Sequence, residues 1–294
     1  MDFHYNTCPP GSVMLDAAKL NSNPLHDDCP FLFIIGAHRA GTTSLYQYLS
    51  RHSDFRGIRL DKGPLAGDTY HFTTGRYRRL SWERYKSFFP TSVLSGEKSI
   101  NMFITCEAPR WLFESCGRST KVIILLRNPI KRYISAMDKK TSQEILAQLF
   151  TDRQWYSKLK QETKMNYQNI PSTCLNLYNQ LNTNNLYYGI YSIHLANWLC
   201  NFPPENLLVV NSEEFNRSTS DILQQVLEFV RLVPFTQHKL DIVVNVTYNY
   251  QQKRYHTDNL MRDAINNLDE FYRSYNRQLF DMLLWNSSLV DWPV

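Results

Sequence analysis

The stretch that most constrains this chain is FLFIIGAHRAGTTSLYQYL, residues 31–49. Phe31 to Ile35 is a continuous apolar run closed by Gly36, the pattern of a strand buried on both faces of a parallel sheet. Residues 43–52 then place Leu45, Tyr48, Leu49 and His52 along one side of a helix. A strand, a loop bounded by Gly36 and Gly41, and a helix opening on hydroxyl residues aim backbone N–H groups and a helix dipole at one point. That geometry binds phosphate. The spacing fits the loop frame of nucleoside triphosphatases, except that Thr42 stands where the frame requires lysine. Nothing in the loop then reaches a third phosphate, whereas Thr42, Thr43 and Ser44 supply hydroxyl donors for a shorter anion. The competing reading is a tight turn whose threonines merely cap a helix.

The rest of the chain repeats the alternation of short buried strands and amphipathic helices. Val122 to Leu126 is uniformly apolar and stops at Arg127-Asn128-Pro129, where proline cannot continue a ladder. Leu207 to Val210 reads as a third strand. Helical spacing joins Tyr191, Leu195, Trp198 and Leu199, then Ile222, Val226, Phe229 and Val230, then Leu260, Ala264, Leu268, Phe271, Tyr275, Leu279 and Met282. The expected fold class is α/β, a P-loop-like three-layer domain with a mainly parallel central sheet flanked by helices. Residues 1–30, with five proline and glycine breaks, are expected to form an irregular lead-in, and residues 31–294 one domain. Segment 54–120, rich in loop signals, is expected to decorate the ligand-binding edge of the sheet.

Charge narrows the ligand. The net charge of +5 is matched by one stretch, Arg51 to Pro90, where nine basic residues (Arg51, Arg56, Arg59, Lys62, Arg76, Arg78, Arg79, Arg84, Lys86) face four acids. Such a run is a solvated face or a wall toward an anionic substrate. Its confinement to one loop-rich region argues against nucleic acid as the partner. The six cysteines, Cys8, Cys29, Cys106, Cys116, Cys174 and Cys200, lack the paired spacing of a thiolate zinc site. Local disulfides Cys8 to Cys29 and Cys106 to Cys116 fit an oxidising compartment, and six buried thiols fit the sequence equally. Sequons at Asn216, Asn245 and Asn286 point weakly to a lumenal protein. No stretch reaches the length of a membrane span and no signal pattern opens the chain. A membrane role would need an anchor absent from this chain, and a cytoplasmic location is equally consistent with this pattern.

The second motif is VIILLRNPIKRYISAM, residues 122–137. Arg127 closes a buried strand at the usual ligand-facing edge of such sheets, and Ser135 falls in the following helix. An arginine fork and a hydroxyl can hold a phosphate carried at a second position of a nucleoside. With both motifs in this order, the chain resembles the sulfotransferase superfamily that uses 3′-phosphoadenosine 5′-phosphosulfate. The nearest likeness is to membrane-bound Golgi enzymes acting on heparan and chondroitin-type glycans. GEKSINMF (96–103), YSIHLANWL (191–199) and LDEFYRSYN (268–276) are similar to segments of that subgroup, and the likeness runs with gaps from Phe31 to Trp285. A Gly-x-x-Gly-x-x-Lys cofactor segment of the cytosolic branch is missing, and Lys253 and Arg254 are its nearest basic substitute.

The resemblance implies a sulfuryl transferase acting on a hydroxyl of an acidic glycan in the Golgi lumen. It assigns the cofactor to His38, Arg39, Ala40, Gly41, Thr42, Thr43, Ser44, Arg127, Ser135, Lys253 and Arg254. No metal is required. Arg39 stands where the family loop carries lysine, so its role is expected to be electrostatic. Lys98 is the lysine that could assist it. The family's loop carboxylate has no direct match: Lys62-Gly63-Pro64 has glycine in its place, and Asp68 in DTYHF is the nearest acid. Asp68 is therefore the expected general base, with His71 and Glu97 behind it. Lys62, His71, Glu97 and His194 are the expected acceptor contacts, His194 with a core histidine as its alternative. Competing functions are a P-loop phosphotransferase, against which Thr42 speaks, a nucleotide- or glycan-binding protein without catalysis, and transfer to a small alcohol or phenol.

Overall fold

The computed structural model describes residues 29–58, 68–73, 81–89, 93–117, 119–137, 139–163, 174, 184–246, 258–284 and 292. In chain order the elements are β1 (Leu32–Gly36), α1 (Thr42–Leu49), β2 (Phe55–Gly57), α2 (Trp82–Lys86), β3 (Leu94–Lys98), α3 (Ala108–Cys116), β4 (Lys121–Leu126), α4 (Pro129–Ala136) and α5 (Ser142–Thr163). They continue with α6 (Tyr191–Leu199), β5 (Leu207–Asn211), α7 (Ser212–Arg217), α8 (Thr219–Phe229), α9 (Gln237–Val244) and α10 (Asn259–Leu283). They fall into two compact units. One is Val13–Leu126 with Asn201–Gln251, and the other is Arg127–Cys200 with Gln252–Val294 and Met1–Ser12.

The first unit holds a five-stranded sheet, order β2-β3-β1-β4-β5, in which every pairing is parallel. β1 and β4 are central and every residue of both is buried, which explains their unbroken apolar sequences. Gly96 is required where β3 meets β1: a Cβ there would stand 2.6 Å from the Leu32 carbonyl oxygen and 2.9 Å from Leu32 Cβ. From β1 the chain turns toward β2 at one edge, and β4 has β5 on its other side. The order reverses between β1 and β4, so the crevice at their C-terminal ends is where such sheets bind ligands.

Two expectations are corrected here. Segment 54–120 is more than loop, because it supplies β2 and β3, two of the five strands. The disulfide pairing is non-local: Cys29 is bonded to Cys116, with Cα atoms 5.5 Å apart. Both suggested local pairs are thereby excluded. Cys29 precedes β1 and Cys116 precedes β4, and those strands are parallel neighbours, Lys121 N donating to the Phe31 carbonyl oxygen at 2.8 Å. Parallel pairing brings the two strand entries together. Among the described residues no cysteine is free. Cys8 and the lead-in up to residue 28 lie outside the described residues.

The second unit is helical. Asn128 caps α4, its Oδ1 accepting from Ile130 N at 3.0 Å and Lys131 N at 3.2 Å, while Pro129 opens the helix, where its missing N–H costs nothing. The Arg-Asn-Pro string thus ends one element and starts the next. Asp258 caps α10, whose inward stripe is Met261, Ala264, Leu268, Tyr272, Tyr275, Leu279 and Leu283. The stripe expected from sequence begins one residue early, since Leu260 is 41% exposed. Tyr272 OH donates to the Leu186 carbonyl oxygen at 3.0 Å, and Tyr133 OH to Asp152 at 2.9 Å. Among the described residues no helix is long and apolar enough to cross a membrane.

Candidate active site

The loop between β1 and α1 is held by its own backbone and by the end of β4. Ala37 N donates to the Leu125 carbonyl oxygen at 2.6 Å and Ala40 N to that of Ala37 at 3.2 Å, which draws the loop into a tight turn over the end of β4. Two residues are left-handed, Arg39 at φ 65° and Gly41 at φ 91°. The first is unusual for a residue with a Cβ and costs on the order of 1–3 kcal/mol, the kind of strain that gathers at binding loops. Ser212 Oγ supports the turn by donating to the Ala40 carbonyl oxygen at 2.8 Å. α1 then starts at Thr42 with no side-chain cap and no acidic residue in its first turn. A helix start of this kind carries the positive end of the helix dipole toward the loop. Arg39 is exposed, Thr42 is buried, and His38, Thr43 and Ser44 are half-buried. An uncapped helix start with hydroxyls and one arginine is a donor set that fits a phosphosulfate group.

The end of β3 carries the second cluster. Asp68 and Lys98 form an ion pair with both side chains about 5% exposed or less. Burial raises the Asp68 carboxyl above the ordinary carboxylate range, and the Lys98 charge pulls it partly back. Glu97, the preceding strand residue, is fully buried. It accepts from Thr69 Oγ1 at 2.5 Å and Tyr85 OH at 3.2 Å. Burial pushes its carboxyl up to about 7, against the pull of hydrogen bonds from Thr69, Ser99 and Tyr85. His71 stacks on Tyr85 with ring centroids 4.2 Å apart and planes 16° from parallel. The structure therefore joins Asp68, Lys98, Glu97 and His71 in one cluster of one unit. It adds Thr69 and Tyr85, which sequence reasoning missed because nothing marked β3 as the strand they pack against.

Glu97 and His194 are corrected as acceptor contacts: neither exposes surface. Glu97 is committed to Thr69 and Tyr85. His194, in the helical unit, has Nε2 2.9 Å from the Tyr187 carbonyl oxygen and its ring edge-on to Tyr187 at 4.6 Å. Burial lowers its pKa to about 4, so it is a neutral core histidine. In the same unit Arg127 and Ser135 are half-buried, and the Arg127 carbonyl oxygen accepts from Tyr191 OH at 2.9 Å. Arg132, between them in α4, is fully buried and donates from Nη2 to the Asn185 carbonyl oxygen. It packs inward. Lys62, Lys253 and Arg254 lie outside the described residues, as do Gly63, Pro64 and Asn286.

The family described as Sulfotransferase domain matches residues 30–278. Heparan sulfate glucosamine 3-O-sulfotransferase 3B1 of Mus musculus is 22% identical over 272 residues, covering 86% of this chain and 63% of that protein. Heparan sulfate glucosamine 3-O-sulfotransferase 6 of Homo sapiens is 25% identical over 284 residues, covering 90% and 74%. The bifunctional heparan sulfate N-deacetylase/N-sulfotransferase of Drosophila melanogaster is 24% identical over 231 residues, covering 72% and 20%. The chain thus spans under two thirds of the mouse relative and a fifth of the fly one. Among solved structures, a sulfotransferase from Alicyclobacillus acidocaldarius superposes with TM-score 0.61 at 18% identity, covering 89% of this chain and 98% of that one. That likeness concerns the fold.

Proposed function

The chain belongs to the sulfotransferase domain family, and we propose on that footing that it transfers a sulfuryl group to a hydroxyl of an acidic, glycosaminoglycan-type glycan. The observation that carries this reading is the uncapped start of α1 behind the left-handed turn at Arg39 and Gly41. When bound, 3′-phosphoadenosine 5′-phosphosulfate would supply the sulfuryl group and a nucleotide leaving group.

The chain's own residues divide the remaining work. The N–H groups and hydroxyls of Thr42, Thr43 and Ser44, with the backbone of His38, Ala40 and Gly41, bind the phosphosulfate end. Arg39 meets the charge that develops as the leaving oxygen is released, and it does so without giving up a proton, since guanidinium stays ionised. Arg127 and Ser135 hold the 3′-phosphate, with Lys253 and Arg254 as further basic contacts. Asp68 takes the proton of the acceptor hydroxyl. Its raised proton affinity suits that role, and the Lys98 charge opposes the rise. His71 and Lys62 are the acceptor contacts in this reading. The glycan hydroxyl, rather than a nitrogen, is favoured by the 3-O-sulfotransferase names of two of the relatives above. A lumenal setting is supported by the Cys29–Cys116 disulfide, because such bonds persist in oxidising compartments.

Calorimetric titration with 3′-phosphoadenosine 5′-phosphate, alongside adenosine 5′-phosphate and ATP with magnesium, tests the cofactor. Binding that needs the 3′-phosphate and disappears in Arg127→Ala supports the proposal. Equal binding of all three nucleotides refutes it. Labelled transfer to desulfated heparan, chondroitin and a simple phenol then separates glycan from small-molecule acceptors. Nucleotide binding with no transfer to any of them would leave a binding protein.

A further inference from the structure

Glu97 and Lys98 are adjacent in β3, and Thr69 and Asp68 are adjacent in the segment that packs on it. Glu97 accepts from Thr69, and Lys98 pairs with Asp68. The two contacts hold neighbouring residues of the segment to neighbouring residues of the strand. Other contacts fasten the same six residues. Tyr70 N donates to Ser99 Oγ and His71 N to Thr69 Oγ1, both at 3.1 Å. Phe72 packs edge-on to Phe33 at 5.9 Å. Tyr70 is held at φ 55°, a left-handed conformation that residues with a Cβ avoid unless their surroundings impose it.

Glu97 is the centre of this arrangement. Its Oε2 receives both the Thr69 and Tyr85 hydroxyls, and Tyr85 in turn carries the stacked ring of His71. A carboxyl group completely shut from solvent is costly to keep, and a hydrophobic residue in β3 would fill the space without that cost. What the acid supplies is an acceptor that fixes a threonine one residue from Asp68. We propose that Glu97 is a positioning residue: through Thr69 and Tyr85 it seats segment 68–73 on β3 and so sets where the Asp68 carboxylate stands. Its effect on transfer rests on the reading of Asp68 as the base. The anchoring itself does not.

Hydrogen exchange over residues 68–73 is measured in the wild type, Glu97→Ala, Glu97→Gln and Thr69→Val, together with kcat and with KM for nucleotide and acceptor. Glutamine keeps a carbonyl oxygen for both hydroxyl donors, whereas alanine and valine each remove one side of the contact. Glu97→Ala and Thr69→Val are expected to speed exchange of the segment about tenfold or more. They are also expected to lower kcat on the order of 10²-fold, the cost of a misplacement near 1 Å. KM for nucleotide stays within about twofold, because the phosphate loop is untouched. Glu97→Gln recovers most of the protection and most of kcat. Unchanged exchange in both Glu97→Ala and Thr69→Val overturns the proposal. So does a Glu97→Gln variant as slow as Glu97→Ala with its segment still protected, which would make the carboxylate itself the reacting group. If the wild type transfers nothing, the exchange comparison still decides the anchoring, and the failure belongs to the sulfotransferase reading alone.

Discussion

Asp68 and Lys98, thirty residues apart in sequence, close an ion pair in the interior at the C-terminal end of β3. Neither side chain has enough exposure to be solvated on its own, so each depends on the other. Removing one partner leaves an uncompensated buried charge. Lys98→Met and Asp68→Leu are each expected to lower stability by about 3–5 kcal/mol, whereas the double substitution costs clearly less than their sum. Denaturant midpoints of the four proteins check this. Asp68→Asn, which keeps the shape, is expected to lower kcat by about 10²–10⁴-fold if Asp68 is the base.

The contrast between β1 and β3 explains how much of the fold was legible in the sequence. β1, β4 and β5 are announced by apolar runs that end in glycine, arginine-asparagine-proline or asparagine. β3 reads Leu-Ser-Gly-Glu-Lys, which looks like a polar loop, yet its last four residues are buried. Its burial is bought by hydrogen bonds and an ion pair with residues 68–85, a tertiary fact that periodicity cannot register. β2 is three residues long and leaves too short a pattern. α5 was hidden for another reason: Phe150 and Trp155 point outward at 50% and 59% exposure while Asp152 is buried, so the hydrophobic stripe is scrambled. The turns from β1 into α1 and from β4 into α4 are legible because glycine and proline fall at fixed offsets from the apolar runs. The Glu-Lys pair marks Glu97 in the sequence, but only its partners show that it faces the protein.

Arg39 combines a strained backbone with the loop's one guanidinium. Arg39→Gly relieves the left-handed φ of 65° and is expected to leave stability unchanged or raise it by about 1 kcal/mol, while lowering kcat through loss of the charge. Gly41→Ala moves stability in the opposite direction. Space exists for the methyl, the nearest atoms being Phe215 Cδ1 at 3.8 Å and Leu125 Cδ2 at 3.9 Å, but a φ of 91° is poorly tolerated outside glycine. A loss of about 1–2 kcal/mol in stability is expected, together with weaker nucleotide binding. Paired thermal melts and calorimetric titrations distinguish the two effects.

Glu97 links the site to pH. Its carboxyl lies near 7 in the folded chain against 4.5 as a free side chain, so folding takes up a proton. The stability this contributes is complete below about 4.5 and is lost as pH rises through 7, a swing of roughly 3 kcal/mol. Facing it are Asp68, whose charge adds to the shift, the hydroxyls of Thr69, Ser99 and Tyr85, and the Tyr85-stacked His71. His194, with a folded value near 4 against 6.5, acts in the opposite direction, its contribution being lost as pH falls from 6.5 toward 4. Above 6.5, where the His194 contribution no longer changes, Glu97 is the one of the two that still lowers stability as pH rises, with about 1 kcal/mol of its swing left. Urea unfolding at pH 6.5, 7 and 8 is expected to show falling stability in the wild type and a flat profile in Glu97→Gln. Equal slopes would remove Glu97 as the source.

The Cys29–Cys116 bond closes a stretch of 87 residues that contains β1, α1, β2, α2, β3 and α3. A cross-link over so long a segment removes much freedom from the unfolded chain, worth on the order of 4 kcal/mol in the chain-entropy account. It also ties the entries of β1 and β4, the two strands whose far ends lead into the Ala37–Gly41 turn and into Arg127. Cys29→Ser with Cys116→Ser is expected to lower the denaturation midpoint by about 2–5 kcal/mol in free energy. Below its melting temperature the double variant should still bind 3′-phosphoadenosine 5′-phosphate as the wild type does, since the parallel ladder of β1 and β4 continues from Leu32 and Lys121 without the sulfur bridge. Loss of binding at a temperature where circular dichroism shows a folded chain would mean that the bond does more than restrain the unfolded state. It would then also hold the register of β1 and β4.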